Sequence, residues 1–227
     1  DYPPFAMTGY SQGGYVVSFS SEVNTAQPAW YVLDNGTDTT TGTYWQSGTG
    51  TYSSGNWTGS TVQFTDTNSG QHSGEWIKLK MPHKLKLDYI SYLSTYSTYM
   101  PKDFVILGSN DDITWTLLKS VTGGTAVEDV YHSLIVNANR SYKYYVWLTS
   151  AVNGSSGEVV ITELKFYGHR ENDLVRLPDP TNVLKYPHVL MTGPAQRGYV
   201  VSASSVFVGS TAPAREPYNA FGAHTTG

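Results

Sequence analysis

Apolar residues recur at every second position through much of this chain. In WIKLKM, Ile77, Leu79 and Met81 alternate with Trp76, Lys78 and Lys80. A period of two lines one face of a strand, because successive side chains point to opposite sides. GYVVSFSS sets Tyr15, Val17 and Phe19 against Val16 and Ser18, and KLKLDYI sets Leu85, Leu87 and Tyr89 together. ITWTLL aligns Ile113, Trp115 and Leu117, and YKYYVWLT aligns Tyr142, Tyr144, Val146 and Leu148 against Lys143, Tyr145 and Trp147. VVITELKFYG places Val160, Leu164 and Phe166 inward, with Thr162 interrupting the face. DFVILG is a nearly continuous apolar run, expected to be buried on both faces. Met81-Pro82, Gly108 to Asp112, Gly123-Gly124 and Asn153 to Gly157 separate these runs and read as turns. No stretch carries a sustained apolar stripe of helical period. The expected fold is an all-β sandwich.

The chain also repeats itself. At an offset of 184, 13 of the 20 positions from Tyr2 to Ser21 are identical to those from Tyr186 to Ser205. MTGYSQGGYVVSFSS returns as MTGPAQRGYVVSASS, so the unit is about 184 residues and a second copy begins near Tyr186. The expected organisation is a sandwich over residues 1–168, a linker over 169–185, and the truncated start of a second module over 186–227. The linker is more charged than its surroundings and holds Pro178 and Pro180, which limit its flexibility. The chain starts at Asp1 rather than Met, as expected for a fragment or a processed product.

Charged residues make up 14%, below the roughly 25% usual for soluble domains, and the formal net charge is -4. Nothing basic is concentrated enough to hold a phosphate backbone, so no nucleic-acid partner is expected. No apolar run approaches the ~20 residues of a membrane span. With no cysteine, neither a disulfide framework nor a thiolate metal site is available. The six histidines, at 72, 83, 132, 169, 188 and 224, show no ligand spacing. Neither a G-x-S-x-G elbow, a phosphate loop nor a cofactor motif occurs, so a non-catalytic role is expected.

Four segments in order, SGEWIKLKMP, PKDFVILGSNDDITWTLL, YKYYVWLT and ITELKFYG, resemble the F5/8 type C (discoidin-like) domain. That family includes a family of carbohydrate-binding modules. The most specific elements are GSND-x-x-x-W and the closing E-L-x-x-Y/F-G phrase. The resemblance covers about residues 2–168 and restarts at Tyr186. It implies an eight-stranded jelly-roll sandwich, discoidin-like, that binds at a loop-rich end. It also implies kinship with cysteine-free microbial and viral members that bind glycans and often hold a structural calcium ion.

Calcium takes six to eight hard oxygens, some from backbone carbonyls. Asp34, Asn35, Asp38 and nearby threonines supply oxygens on one loop, and the resemblance implies that Glu163 completes the site. Either Asp34 or Asp38 is the loop ligand. Glu163 lies in an otherwise apolar strand, a costly place for a carboxylate without a cation or partner. Sugars stack their C–H faces on aromatic rings beside planar hydrogen-bonding groups. Tyr52, Trp57, Tyr96, Tyr99 and Asn153 are the candidates in the loops, each with packing as its competing role. Asn35, Asn56, Asn139 and Asn153 begin N-x-S/T sequons. The expected function is an extracellular or virion-surface adhesion module in a tandem array. Its partners would be glycans or cell-surface glycoproteins. One alternative is a structural repeat of a fibre, whose modules bind mainly neighbouring modules of the same or identical chains. The other is an accessory module of a glycan-active enzyme.

Overall fold

A computed structural model describes residues 1–36, 43–124, 127–155, 157–171, 191–196, 198–204 and 220. The chain divides into two compact units, Asp1–Leu174 and Val175–Gly227. In the first unit, β1 (Ser11–Gln12), β2 (Tyr15–Phe19) and β3 (Trp45–Gln46) precede two short hairpins. These are β4 (Tyr52–Ser53) with β5 (Asn56–Trp57), and β6 (Phe64–Thr65) with β7 (Gln71–His72). The longer strands follow: β8 (Glu75–Leu93), β9 (Pro101–Ser109), β10 (Thr116–Val121), β11 (His132–Ile135) and β12 (Tyr142–Val152). β13 (Val160–Ile161) and β14 (Glu163–Arg170) close the unit. Among the described residues there is no α-helix, only 3-10 turns at Ala29–Leu33 and Ser97–Tyr99. The fold is the expected discoidin-like jelly-roll sandwich.

The 19-residue β8 serves both layers. Its first part pairs β2 and β12, and β9 and β10 continue that layer beyond β12. Its second part pairs β11 and β14. Between the two, Tyr144 opposes Lys80 and Tyr142 opposes Leu85, so four residues of β8 face one of β12. Met81-Pro82 lies here, and the expected turn is instead the bend at which the strand changes layers. Proline suits that place because its missing N–H leaves no ladder bond broken.

The core between the layers follows the period-two pattern, with exceptions that have local causes. Ile77, Leu79, Met81, Leu85 and Leu87 are buried as expected. Tyr89, expected inward, is exposed and Ile90 is fully buried in its place. The reason is a bulge: Tyr167 opposes Tyr89 while Gly168 opposes Leu87, leaving Asp88 as the extra residue. An extra residue inverts the alternation beyond it. The same effect acts in β12, where the shift between Tyr142 and Tyr144 sends Tyr142 to the main core and Tyr144 to the other face. Tyr145 and Trp147 then fill the main core, while Val146 and Leu148 fill a smaller cluster on the outer face of the layer. Trp147 stacks on Phe104 at 4.3 Å and 14°. DFVILG is buried on both faces as expected, Phe104 and Ile106 on the main core and Leu107 in the outer cluster. Trp115 joins that outer cluster, but Ile113 is 80% exposed, because the hairpin loop leaves the sheet before it.

In the second unit, β15 (Ala195–Gln196) pairs β16 (Tyr199–Val200). Its register, Ala195 opposite Val200 and Gln196 opposite Tyr199, is that of Ser11 opposite Val16 and Gln12 opposite Tyr15. The closing bonds match as well: Val17 N–H donates to Tyr10 O at 2.8 Å and Val201 N–H to Pro194 O at 2.8 Å. Gly14 and Gly198 take φ of 84° and 87°, a region glycine enters without a Cβ clash. The repeated phrase therefore folds into the same hairpin twice. Residues 172–185 of the expected linker, and most of the expected second module, lie outside the described residues.

Removing the stacked core ring tests this assignment of faces. Trp147→Ala is expected to lower the unfolding free energy by about 3–5 kcal/mol. Ile113→Ala is expected to stay within about 0.5 kcal/mol of the parent, as a surface change does. Urea denaturation of both variants reads the difference.

Candidate functional site

The loops at the Glu163 end of β14 converge. Glu163 opposes Leu93 at the end of β8, and Thr162 N–H donates to Leu93 O at 2.8 Å. Thr95 and Thr162 share a hydroxyl–hydroxyl bond at 2.9 Å, and Ser94 Oγ donates to Val160 O at 3.0 Å. These bonds tie the loop after β8 to the segment before β14. β13 pairs β3, with Ile161 opposite Trp45, which brings residues 43–46 to the same place.

Asp34 caps the 3-10 turn Ala29–Leu33 beside this junction, and Gly36 N–H donates to its Oδ1 at 2.6 Å. Asn35 follows with φ 58°, a left-handed conformation that asparagine tolerates better than most residues. Glu163 is 1% exposed, and its Oε2 is buried with no hydrogen-bond partner. Burial, and next the negative charge of Asp34, push the Glu163 carboxyl up to about 9. Lys165 and the Asn35 backbone oppose that rise. Burial likewise raises Asp34, against the Gly36 N–H. Two desolvated carboxyl groups thus repel one another, one with an orphaned oxygen. This donor set fits a hard cation, which would relieve both the repulsion and the missing bond. Thr43 lies within reach, since a Cβ on Gly36 would stand 3.1 Å from its Oγ1. Among the described residues no third His, Cys, Asp or Glu joins them, so further ligands would be carbonyls, hydroxyls and water. Asp38 lies outside the described residues.

Beside the carboxyls stands a cluster of three tyrosines. Tyr44 meets Tyr96 edge to face at 5.8 Å, and Tyr96 meets Tyr99 at 5.8 Å and 69°. Tyr96 is 39% exposed. Burial, then the Tyr96 hydroxyl, raises the Tyr44 phenol above its ordinary value. The 3-10 turn Ser97–Tyr99 is held from outside by Glu128, whose carboxylate accepts from Ser97 N–H at 2.8 Å and Ser97 Oγ at 2.7 Å. It is held from inside by the loop after β12. Asn153 N–H donates to Met100 O at 3.1 Å, and Gly154 N–H to Thr98 O at 2.8 Å. A Cβ at Gly154 would come within 2.7 Å of both Thr98 Cβ and Thr98 O, so only glycine permits this approach. The result is a partly exposed aromatic platform beside an amide, on loops fixed by backbone bonds.

The sequence candidates sort accordingly. Tyr96, Tyr99 and Asn153 come together. Tyr52 does not join them: it is 4% exposed and donates its hydroxyl to Thr149 O at 2.8 Å. Its ring is a packing element with no face for a ligand. Trp57 is half-buried against the main core, with the Gly59 main chain lying on its ring. Asn35, Asn56 and Asn139 are exposed, whereas Asn153 directs its amide to Met100 O at 3.4 Å. Tyr44 and Glu128 are additions to the set. Tyr44, just before β3, had no periodic signal. Glu128 had none.

The start of the chain lies beside the middle of β14, three residues along from Glu163. Tyr2 N–H donates to Phe166 O at 2.8 Å, and the Arg170 guanidinium stands 5.6 Å from the Tyr2 ring. Seven residue steps separate Arg170 from Glu163, roughly 23 Å at ~3.3 Å each.

No protein-family model matches the chain, and no curated protein matches it. Solved structures do. The C-terminal domain of a chitobiase from Bacteroides fragilis aligns at a TM-score of 0.50 and 18% identity, over 70% of this chain and 97% of that one. The family 32 carbohydrate-binding module of Clostridium perfringens NanJ, in complex with galactose, aligns at 0.46 and 15%, over 67% and 93%. Chitosan-binding module 2 from a Paenibacillus chitosanase/glucanase, in complex with chitotriose, aligns at 0.49 and 16%, over 68% and 97%. At these identities the likeness is one of fold.

The Glu163 geometry carries a pH dependence. The folded carboxyl titrates at about 9 against an ordinary 4.5, so the fold favours its protonated form. That contribution is complete below about pH 4.5 and is lost as pH rises through about 9. In chelator-treated protein, the urea midpoint is therefore expected to fall between those pH values. Glu163→Gln is expected to flatten the fall.

Proposed function

We propose that this discoidin-like sandwich is a non-catalytic glycan-binding module whose ligand lies on Tyr96 and Tyr99 beside Asn153. The observation that carries the reading is the exposed tyrosine cluster on loops already fixed by hydrogen bonds. Rings held before a ligand arrives lose little freedom on binding, which is how a small contact gains affinity. The galactose and chitotriose complexes of the two modules aligned above make those sugars the first probes.

The cation reading belongs to the same end. Glu163 and Asp34 would hold calcium, with Thr43 and backbone carbonyls beside them. The ion would fix the Asp34 loop, which leads into Tyr44. The matching hairpins at Ser11–Val16 and Ala195–Val200 support a second copy and hence an array. Linked weak sites gain avidity without new contacts. An extracellular or virion-surface adhesin suits that arrangement. Membership of a fibre also follows from repetition, and requires module faces that bind one another. An accessory role in a glycan-active enzyme agrees with the origin of the chitobiase domain and the chitosanase module, and would place a catalytic domain elsewhere in the full protein.

A glycan array that includes galactose and chitotriose tests the binding. The parent chain is expected to bind at least one glycan, and Tyr96→Ala to weaken it about tenfold, the loss of ~1.4 kcal/mol of stacking. An array on which the parent chain is silent removes the reading and leaves the fibre. For the cation, calcium at ~100 times its dissociation constant is expected to add ~2.7 kcal/mol of stability to the parent chain and none to Glu163→Gln. An unchanged melting temperature in the parent contradicts the ion.

A further inference from the structure

A second surface feature lies away from the loop end, on the outer face of the first layer. The hairpin β6–β7 folds over the outer cluster of Leu107, Val146 and Leu148, and Phe64 plugs it against Trp115 at 5.0 Å. An open groove of about 570 Å³ runs between this hairpin, β8 and the loop after β9. That volume falls within the ~300–1,000 Å³ of small-molecule sites. Its floor includes Trp76, half-buried, with Phe64 edge-on at 5.5 Å. Its rim carries Lys78 and Asp112, paired at 2.7 and 2.9 Å, with the Lys78 ammonium 5.8 Å from the Trp76 ring centre. Gln63 lines the same groove, and its Oε1 is occupied by Gly74 N–H at 3.0 Å, which leaves its two N–H donors for other partners.

The walls are fixed in advance. Asp66 accepts from Asn68 N–H at 2.7 Å and Gly70 N–H at 3.0 Å, and pairs with His72 Nε2 at 2.8 Å. Thr67 N–H donates to Trp115 O at 2.8 Å, joining the hairpin to the opposite wall. On that wall Asp111 Oδ1 accepts from Ile113 N–H at 3.0 Å and Thr114 N–H at 2.7 Å. Asp112 itself takes φ 63°, held by its N–H on Ser109 Oγ at 3.0 Å. The backbone is thus bent into a left-handed residue at the point that sets a carboxylate on Lys78.

We propose that this groove is a second carbohydrate site, taking a neutral hydroxylated ring with Trp76 beneath it. The chemistry selects the class. Lys78 and Asp112 cancel in charge, so neither an anion nor a cation is favoured. The pair instead supplies ammonium donors and carboxylate acceptors a short distance apart, the pattern that adjacent hydroxyls match. Gln63 adds a fixed amide donor, and the indole supplies an apolar surface for the C–H face of the ring. A lipid chain or apolar peptide would leave the Gln63 N–H donors without a partner and would desolvate the Lys78–Asp112 pair, both at a cost.

The test is a nitrogen-15 NMR titration of the whole chain with maltotriose, cellotriose, xylotriose and chitotriose, following the Trp76 indole N–H. At least one sugar is expected to shift that signal saturably, with a dissociation constant in the ~1 mM range. Asp112→Asn and Lys78→Gln are expected to weaken the effect at least about tenfold with the melting temperature kept, since asparagine accepts the same backbone angle. Tyr96→Ala is expected to leave it unchanged, so the groove and the loop end are scored separately. No movement of the Trp76 signal with any of the four sugars up to about 10 mM overturns the proposal. So does a shift that both rim variants leave intact, or one that Tyr96→Ala abolishes.

Discussion

The structure depends on one strand belonging to two layers. β8 carries the pairings of β2 and β12 on one side of its bend and those of β11 and β14 on the other. Its inward residues therefore meet the core from both layers, Ile77 and Leu79 before the bend and Leu85, Leu87 and Ile90 after it. The far end of the strand, at Leu93, fixes where Glu163 starts its own strand, and the loop that leaves it holds Tyr96 and Tyr99. A shift of one residue in β8 would turn the inward set outward and move the loop end with it. The fold and the candidate site share this determinant.

At that end, two kinds of chemistry lie next to each other. Glu163 is a carboxyl that burial holds in its protonated form until something offsets its charge, and Asp34 adds to the difficulty. The tyrosines are partly exposed and braced by Glu128 and Asn153.

Much of the sandwich was legible as sequence. Alternation in WIKLKM and GYVVSFSS identified the inward residues, because a regular strand has no freedom to place them elsewhere. It failed at Tyr89 and Tyr144, where a single extra residue in a bulge inverted the phase. Bulges depend on the partner strand and leave no local mark. Met81-Pro82 misled for a related reason: proline signals a break in the ladder, and both a turn and a bend between layers provide one. Of the site residues, Glu163 was legible because a carboxylate in an apolar strand needs a reason. Tyr52 was not separable from Tyr96 by sequence, since burial of a loop tyrosine is decided by the strands it packs on. Residues 43–74 carry no sustained alternating run, yet they hold two hairpins, one of which covers the outer face of the sheet.

A crystal structure of the whole chain grown with calcium and chitotriose or galactose tests the central claim most directly. The account predicts a cation held by Glu163 and Asp34, and a sugar ring seated on Tyr96 within reach of Asn153. A protonated Glu163 with no ion, together with Tyr96 free of sugar at saturating ligand, would contradict it.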